Sequence, residues 1–144
     1  MRAWARRKLK EEVIRPLLPS RTSWSALVAD DSVAVRRLIG ARLRQDGCEV
    51  REAADGVEVL QQFAESPPDL LIVDDVLPGL SGVELVRTLQ PRDELRPLGI
   101  AFLVEYRSGL RRARLAGLSE ADVIWKPFDL DEVARRVAAI RLAG

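Results

Sequence analysis

Three aspartates and one lysine stand where chemistry can be done. Asp30 and Asp31 follow the apolar run Ala26-Leu27-Val28-Ala29, Asp74 and Asp75 follow Leu70-Leu71-Ile72-Val73, and Lys126-Pro127 follows Val123-Ile124-Trp125. Short apolar runs of this kind read as strands, and in an open parallel sheet ligands bind beyond the carboxyl ends of the strands. Asp30, Asp31 and Asp74 are then expected to converge at one edge. Three carboxylates brought that close repel one another unless a cation joins them. Mg2+ is the natural choice, because it takes a few carboxylates together with waters and a substrate phosphate. Lys126 adds a point charge suited to a phosphoryl oxygen. The set amounts to a carboxylate nucleophile held beside a metal and an ammonium, an arrangement suited to forming an aspartyl-phosphate.

Composition excludes several other chemistries. The chain of 144 residues has no histidine, which removes His-based zinc sites and Ser-His or Cys-His pairs. Its one cysteine, Cys48, permits no intramolecular disulfide and points to a reducing, cytoplasmic setting. No P-loop or dinucleotide-binding glycine pattern is present, and no apolar run approaches the roughly 20 residues of a membrane span.

The elements that must position the four residues follow from periodicity. Residues 1–24 read as a helical extension and linker, with Leu9, Val13 and Leu17 at helical spacing and Pro19 ending the pattern. From Ala26 onward, strands alternate with helices. Val33 to Gln45 is helical, Glu49 to Ala53 a weak strand, and Asp55-Gly56 opens a helix carrying Val59, Leu60 and Phe63. Leu70 to Val73 is four apolar residues in a row, as expected of a strand covered on both faces. Helices are expected over Val83 to Gln90 and Ser108 to Ala116, a fourth strand over Ile100 to Val104, and a fifth over Val123 to Trp125. A last helix opens at Asp129, with Glu132 at capping-box spacing. This alternation predicts an α/β sandwich around a mainly parallel sheet, in one domain from about residue 25 to 144.

Three segments carry a resemblance. ALVADD (Ala26 to Asp31), DLLIVDDVLPGLSG (Asp69 to Gly82) and Lys126-Pro127-Phe128 resemble the signature segments of response-regulator receiver domains, in order and at matching spacings. Asp74 lies four residues before Pro78, eight before Gly82 and fifty-two before Lys126. The resemblance covers about residues 25–142. It implies a flavodoxin-like five-stranded parallel sheet of order 2-1-3-4-5, to which the N-terminal helix read from periodicity is an extra element. It further implies Asp74 as phosphoacceptor, Mg2+ on Asp30, Asp31, Asp74 and the Val76 backbone carbonyl, and Lys126 paired with the phosphoryl group, with a cis bond to Pro127. Asp75 reads as a loop carboxylate beside the working one.

The likeness departs from the family at the switch positions. Where receivers carry Thr or Ser followed by a small residue, this chain has Val104 and Glu105, and where they carry Tyr or Phe it has Val123. Valine cannot donate the hydrogen bond that a hydroxyl gives a phosphoryl oxygen. Glu105 is expected to crowd the loop and repel a phosphodonor. The stretch between Gly117 and Lys126 is about two residues longer than usual, which predicts a longer loop at Leu118-Ser119-Glu120. Two readings stay open: a phosphorylatable single-domain regulator with an altered switch, or a pseudo-receiver that keeps the fold and signals without phosphorylation. A metal-dependent phosphohydrolase needs a second Asp two residues after its nucleophile, and Val76 stands there instead.

Charge bears on partners. Residues 1–21 carry seven basic groups against Glu11 and Glu12, a net of +5 in a chain whose total is +1. Arg111, Arg112 and Arg114 make the helix over 108–116 basic, and Arg135 and Arg136 lie on the last helix. The resemblance implies those two helices as the surface for a downstream target or a dimer, and a histidine kinase or phosphotransfer protein as the donor. Neither direct DNA binding nor enzymatic activity is expected.

Overall fold

The computed structural model describes residues 2–9, 24–90 and 97–143. Strands β1 (Ser25–Ala29), β2 (Glu49–Ala53), β3 (Leu70–Asp74), β4 (Gly99–Val104) and β5 (Val123–Trp125) alternate with helices α2 (Val33–Gln45), α3 (Gly56–Glu65), α4 (Gly82–Leu89), α5 (Arg107–Leu115) and α6 (Leu130–Ala143). A seven-residue helix, α1 (Ala3–Leu9), precedes them. Leu9 of the Leu9, Val13 and Leu17 periodicity ends it, and Val13 and Leu17 fall outside the described residues. Its Arg6, Arg7 and Lys8 sit in the last turn, where cations complement the helix dipole.

All four strand pairings are parallel, in the order β2-β1-β3-β4-β5. Alternation along each strand sorts the core into two layers. On one face, Leu27, Leu71, Val73, Phe102 and Val104 pack against Val59 of α3, Leu85 and Val86 of α4 and Ala113 of α5. On the other, Val28, Leu70, Ile72, Leu103 and Ile124 pack against Ile39 and Leu43 of α2 and Val133 and Val137 of α6. β3 is buried along its whole length because both faces are covered, which is why its sequence is an unbroken apolar run.

Side-chain caps fix where most helices begin. Ser32, Asp55 and Ser81 accept the N–H groups of Val35, Glu58 and Glu84 at 3.2, 2.8 and 3.2 Å, and Asp129 accepts that of Glu132 at 2.6 Å. α5 is the exception: Tyr106 precedes it and offers no side-chain cap. After α5, Leu118 and Ser119 form the expected loop, which runs at Glu120 into a short 3-10 turn over Glu120–Asp122, where the Asp122 carboxylate accepts from the Ser119 N–H at 2.9 Å.

One glycine is required by proximity to the site. A Cβ on Gly82 would stand 2.7 Å from the Asp74 carbonyl oxygen and 2.8 Å from Phe102 Cε2, so only glycine lets α4 start directly behind the end of β3.

Candidate functional site

The sheet ladder continues past the formal strand ends and carries the acidic loops with it. The Asp30 N–H donates to the Ala53 carbonyl at 3.2 Å, the Asp75 N–H to Leu103 at 3.0 Å and the Lys126 N–H to Val104 at 2.7 Å. Asp30, Asp31, Asp74 and Lys126 are thereby gathered at the carboxyl edge of the sheet. Oxygens of Asp30, Asp31 and Asp74 all lie within 4.8 Å of one another, so the set can hold a metal ion. Asp30 is fully buried, Asp74 nearly so, and Asp31 is exposed. Hard carboxylate oxygens partly open to solvent suit a divalent cation that keeps waters.

Lys126 bridges the two buried carboxylates. Its Nζ lies 2.8 Å from Asp30 Oδ2 and 3.0 Å from Asp74 Oδ2. The other oxygen of Asp30 accepts the Ser32 N–H at 2.9 Å, and that of Asp74 accepts the Val76 N–H at 3.3 Å. Arg36 supports the same loop: its Nη1 donates to the Asp30 carbonyl at 2.7 Å, while its Nε stands 3.3 Å from Glu52. The Lys126–Pro127 peptide is cis, as the resemblance implies.

Burial pushes the Asp74 carboxyl above the ordinary carboxylate range; the Lys126 hydrogen bond opposes this and the charge of Asp30 adds to it. For Lys126, burial disfavours the ammonium, but the hydrogen bonds to Asp30 and then Asp74 outweigh it and raise its pKa. Without a divalent cation, the folded chain therefore binds a proton at Asp74 more tightly than the unfolded chain does, between the ordinary carboxylate range and the raised value. Its contribution to stability falls as pH rises from the ordinary carboxylate range through the raised value. Asp74→Asn is accordingly expected to melt higher than the native protein at neutral pH in chelator. Mg2+ should narrow or reverse that difference by stabilising only the native site. Calorimetry with and without the metal measures both.

Two residues lie where sequence reasoning did not put them. Asp75 is no spectator loop carboxylate: it is 4% exposed. Its Oδ1 accepts from Arg112 Nε at 2.6 Å and its Oδ2 from Arg112 Nη2. Arg112, expected on the outward basic surface of its helix, is turned inward, whereas Arg111 and Arg114 remain exposed. The alternation of strand side chains was the available signal, since it sends Asp75 to the face opposite Asp74, beneath the basic helix.

The switch positions are placed as follows. Val104 is fully buried at the end of β4, and Val123 is buried at the start of β5, paired in register with Phe102. Glu105 is exposed beyond β4, and Tyr106 and Val76 are exposed on the loops around the site.

A doubly wound sheet of order 2-1-3-4-5 with carboxylates and a lysine collected at its strand ends is a flavodoxin-like fold with its site at the carboxyl edge of the strands. The family model of the response regulator receiver domain matches residues 26–138, and the chain belongs to that family. It is 36% identical over 113 residues to the phosphate regulon transcriptional regulatory protein PhoB of Rhizobium meliloti, across 78% of this chain and 50% of that protein. The chain thus spans about half the length of the curated relatives it matches. Among solved structures, a putative response regulator from Chloroflexus aurantiacus shares 32% identity with a TM-score of 0.73, covering 83% of this chain and 98% of that one. The receiver domain of Ssk1 from Saccharomyces cerevisiae, solved with the histidine phosphotransfer signaling protein Ypd1, shares the fold at 23% identity and a TM-score of 0.70, covering 83% and 90% of the two chains.

Proposed function

We propose that Asp74 accepts a phosphoryl group from a phosphohistidine on a kinase or phosphotransfer protein, and that the domain passes the signal on by protein contact. The observation that carries this reading is Lys126 lying 3.0 Å from the carboxylate of Asp74 within a cluster of three aspartates. An Asp74 oxygen attacks phosphorus, a P–O bond forms as the donor's P–N bond breaks, and the imidazole leaves with the bonding electron pair and takes up a proton. Lys126 moves from neutralising Asp74 to holding a phosphoryl oxygen. Asp30, Asp31, Asp74 and the Val76 carbonyl would hold Mg2+, which when bound neutralises charge on the transferring group. The setting proposed is cytoplasmic, where such donors reside; among the described residues no helix is long and apolar enough to cross a membrane. α5 and α6 offer Arg111, Arg114 and Arg135 to a downstream target or a second copy.

The test is intact mass after incubation with Mg2+ and a small phosphodonor. The native protein should gain one phosphoryl group, and Asp74→Asn should gain none. A native mass that stays unchanged, under conditions that label an ordinary receiver, favours the second reading, a pseudo-receiver. That reading draws support from Val104, which fills the strand-end position with no group able to donate to a phosphoryl oxygen.

A further inference from the structure

α5 is weakly anchored by apolar packing. Only Gly109 and Ala113 of its nine residues are fully buried, Leu110 is half-buried, and the helix has no side-chain N-cap. An element with so few buried apolar contacts opens at low free energy unless polar ties hold it. Among the described residues, two such ties join it to α4 and to the loop after β3. At the far end, Arg87 of α4 donates from Nε and Nη2 to the Leu115 carbonyl at 3.2 and 2.8 Å. Near the first turn, Arg112 forks onto the buried carboxylate of Asp75, with its Nη2 also 3.4 Å from Ser108 Oγ. Gly109 makes the close seat possible, because a Cβ there would stand 2.6 Å from Val104 Cγ1 and 2.8 Å from Asp75 Oδ2.

Asp75 is also bonded, through the backbone, to the proposed phosphoacceptor on one side and to the proposed metal-binding carbonyl of Val76 on the other. Its N–H is tied to Leu103 at 3.0 Å, and its carbonyl accepts from Gly82 at 3.3 Å. The geometry points to the Asp75–Arg112 ion pair as a latch that fixes α5 to the loop carrying Asp74, at a place where Val104 offers no hydroxyl to do so. The consequence for signalling rests on Asp74 being the phosphoacceptor. The latch holds α5 in one position, so that phosphorylation alone moves it little, and a partner that draws Arg112 away from Asp75 releases it.

Hydrogen exchange on the full chain, without any ligand, tests the latch. In Arg112→Gln, and in the neutral pair Asp75→Asn with Arg112→Gln, amides of α5 should exchange at least roughly tenfold faster relative to those of α2 and α6 than they do in the native protein. The neutral pair leaves no buried unpaired charge and retains a donor at the position of Arg112 Nε, so it remains informative where the single variant fails to fold. Arg112→Lys, which keeps the charge but not the fork, should fall between. Unchanged α5 exchange in the neutral pair overturns the latch. Adding beryllium fluoride with Mg2+ tests the reading it rests on. Native shifts should be confined to residues 30–32, 74–78 and 126–127, and those of the neutral pair should spread through 107–115. Absence of any shift at Asp30, Asp74 and Lys126 counts against the phosphoacceptor, while the exchange result still decides the latch. Equal spread in native and variant proteins overturns its role in signalling.

Discussion

Lys126→Met is expected to destabilise the protein by about 3 kcal/mol in the absence of divalent metal, and to slow phosphoryl uptake by about 100-fold in its presence. Both effects come from one ammonium. Nζ is the cation that the structure places between Asp30 and Asp74, which are buried and within reach of each other. Removing it leaves two desolvated carboxylates facing one another, the circumstance in which breaking a buried pair is most damaging. The loss is bounded because Asp74, already inclined by burial to hold a proton, can neutralise itself. The destabilisation should therefore grow as pH rises. Mg2+ should return part of the stability, since it supplies the missing positive charge, but not the rate, since the phosphoryl oxygen still lacks its partner. Urea unfolding with and without Mg2+ separates the first effect, and the time course of mass gain gives the second. A variant as stable as the native protein in chelator would show that the lysine does not hold the two carboxylates together.

Arg112→Met is expected to cost about 3 kcal/mol, at the lower end for a broken buried pair because the arginine side chain remains about one-third exposed. Asp75 is 4% exposed and would be left with a full charge and no counter-ion under α5. Adding Asp75→Leu to the same variant should recover most of the loss, since two apolar groups of similar reach replace a pair whose desolvation already offsets much of its attraction. The comparison is a double-mutant cycle, and the two single substitutions should be strongly non-additive. Additive losses from the two single changes would mean that Asp75 and Arg112 stabilise the fold through separate contacts.

Local information in the sequence was enough for the elements and for the set of reacting groups. Apolar runs of strand length, helical periodicity between them, and Asp55 and Asp129 at helix starts are all decided within a few residues, whereas the caps at Ser32 and Ser81 were seen only in the structure. Parallel connection through helices then sends every strand end to the same edge, so Asp30, Asp31, Asp74 and Lys126 could be gathered on paper. The order of the strands came from the resemblance and is borne out by the sheet.

Tertiary structure alone decided what each neighbouring charge does. Asp74 and Asp75 are chemically identical and adjacent, yet pleating turns one toward Lys126 and the other toward Arg112, 37 residues along the chain. Arg112 looked like part of a solvated basic face until the packing of Gly109 against Val104 brought the helix low enough for the guanidinium to reach inward. The bond from Lys126 to Asp30 spans 96 residues, and the upward shift at Asp74 is the summed effect of burial and charges drawn from separate strands. Desolvation and Coulomb energy depend on distances that folding creates, and residue types and spacings along a chain do not contain them.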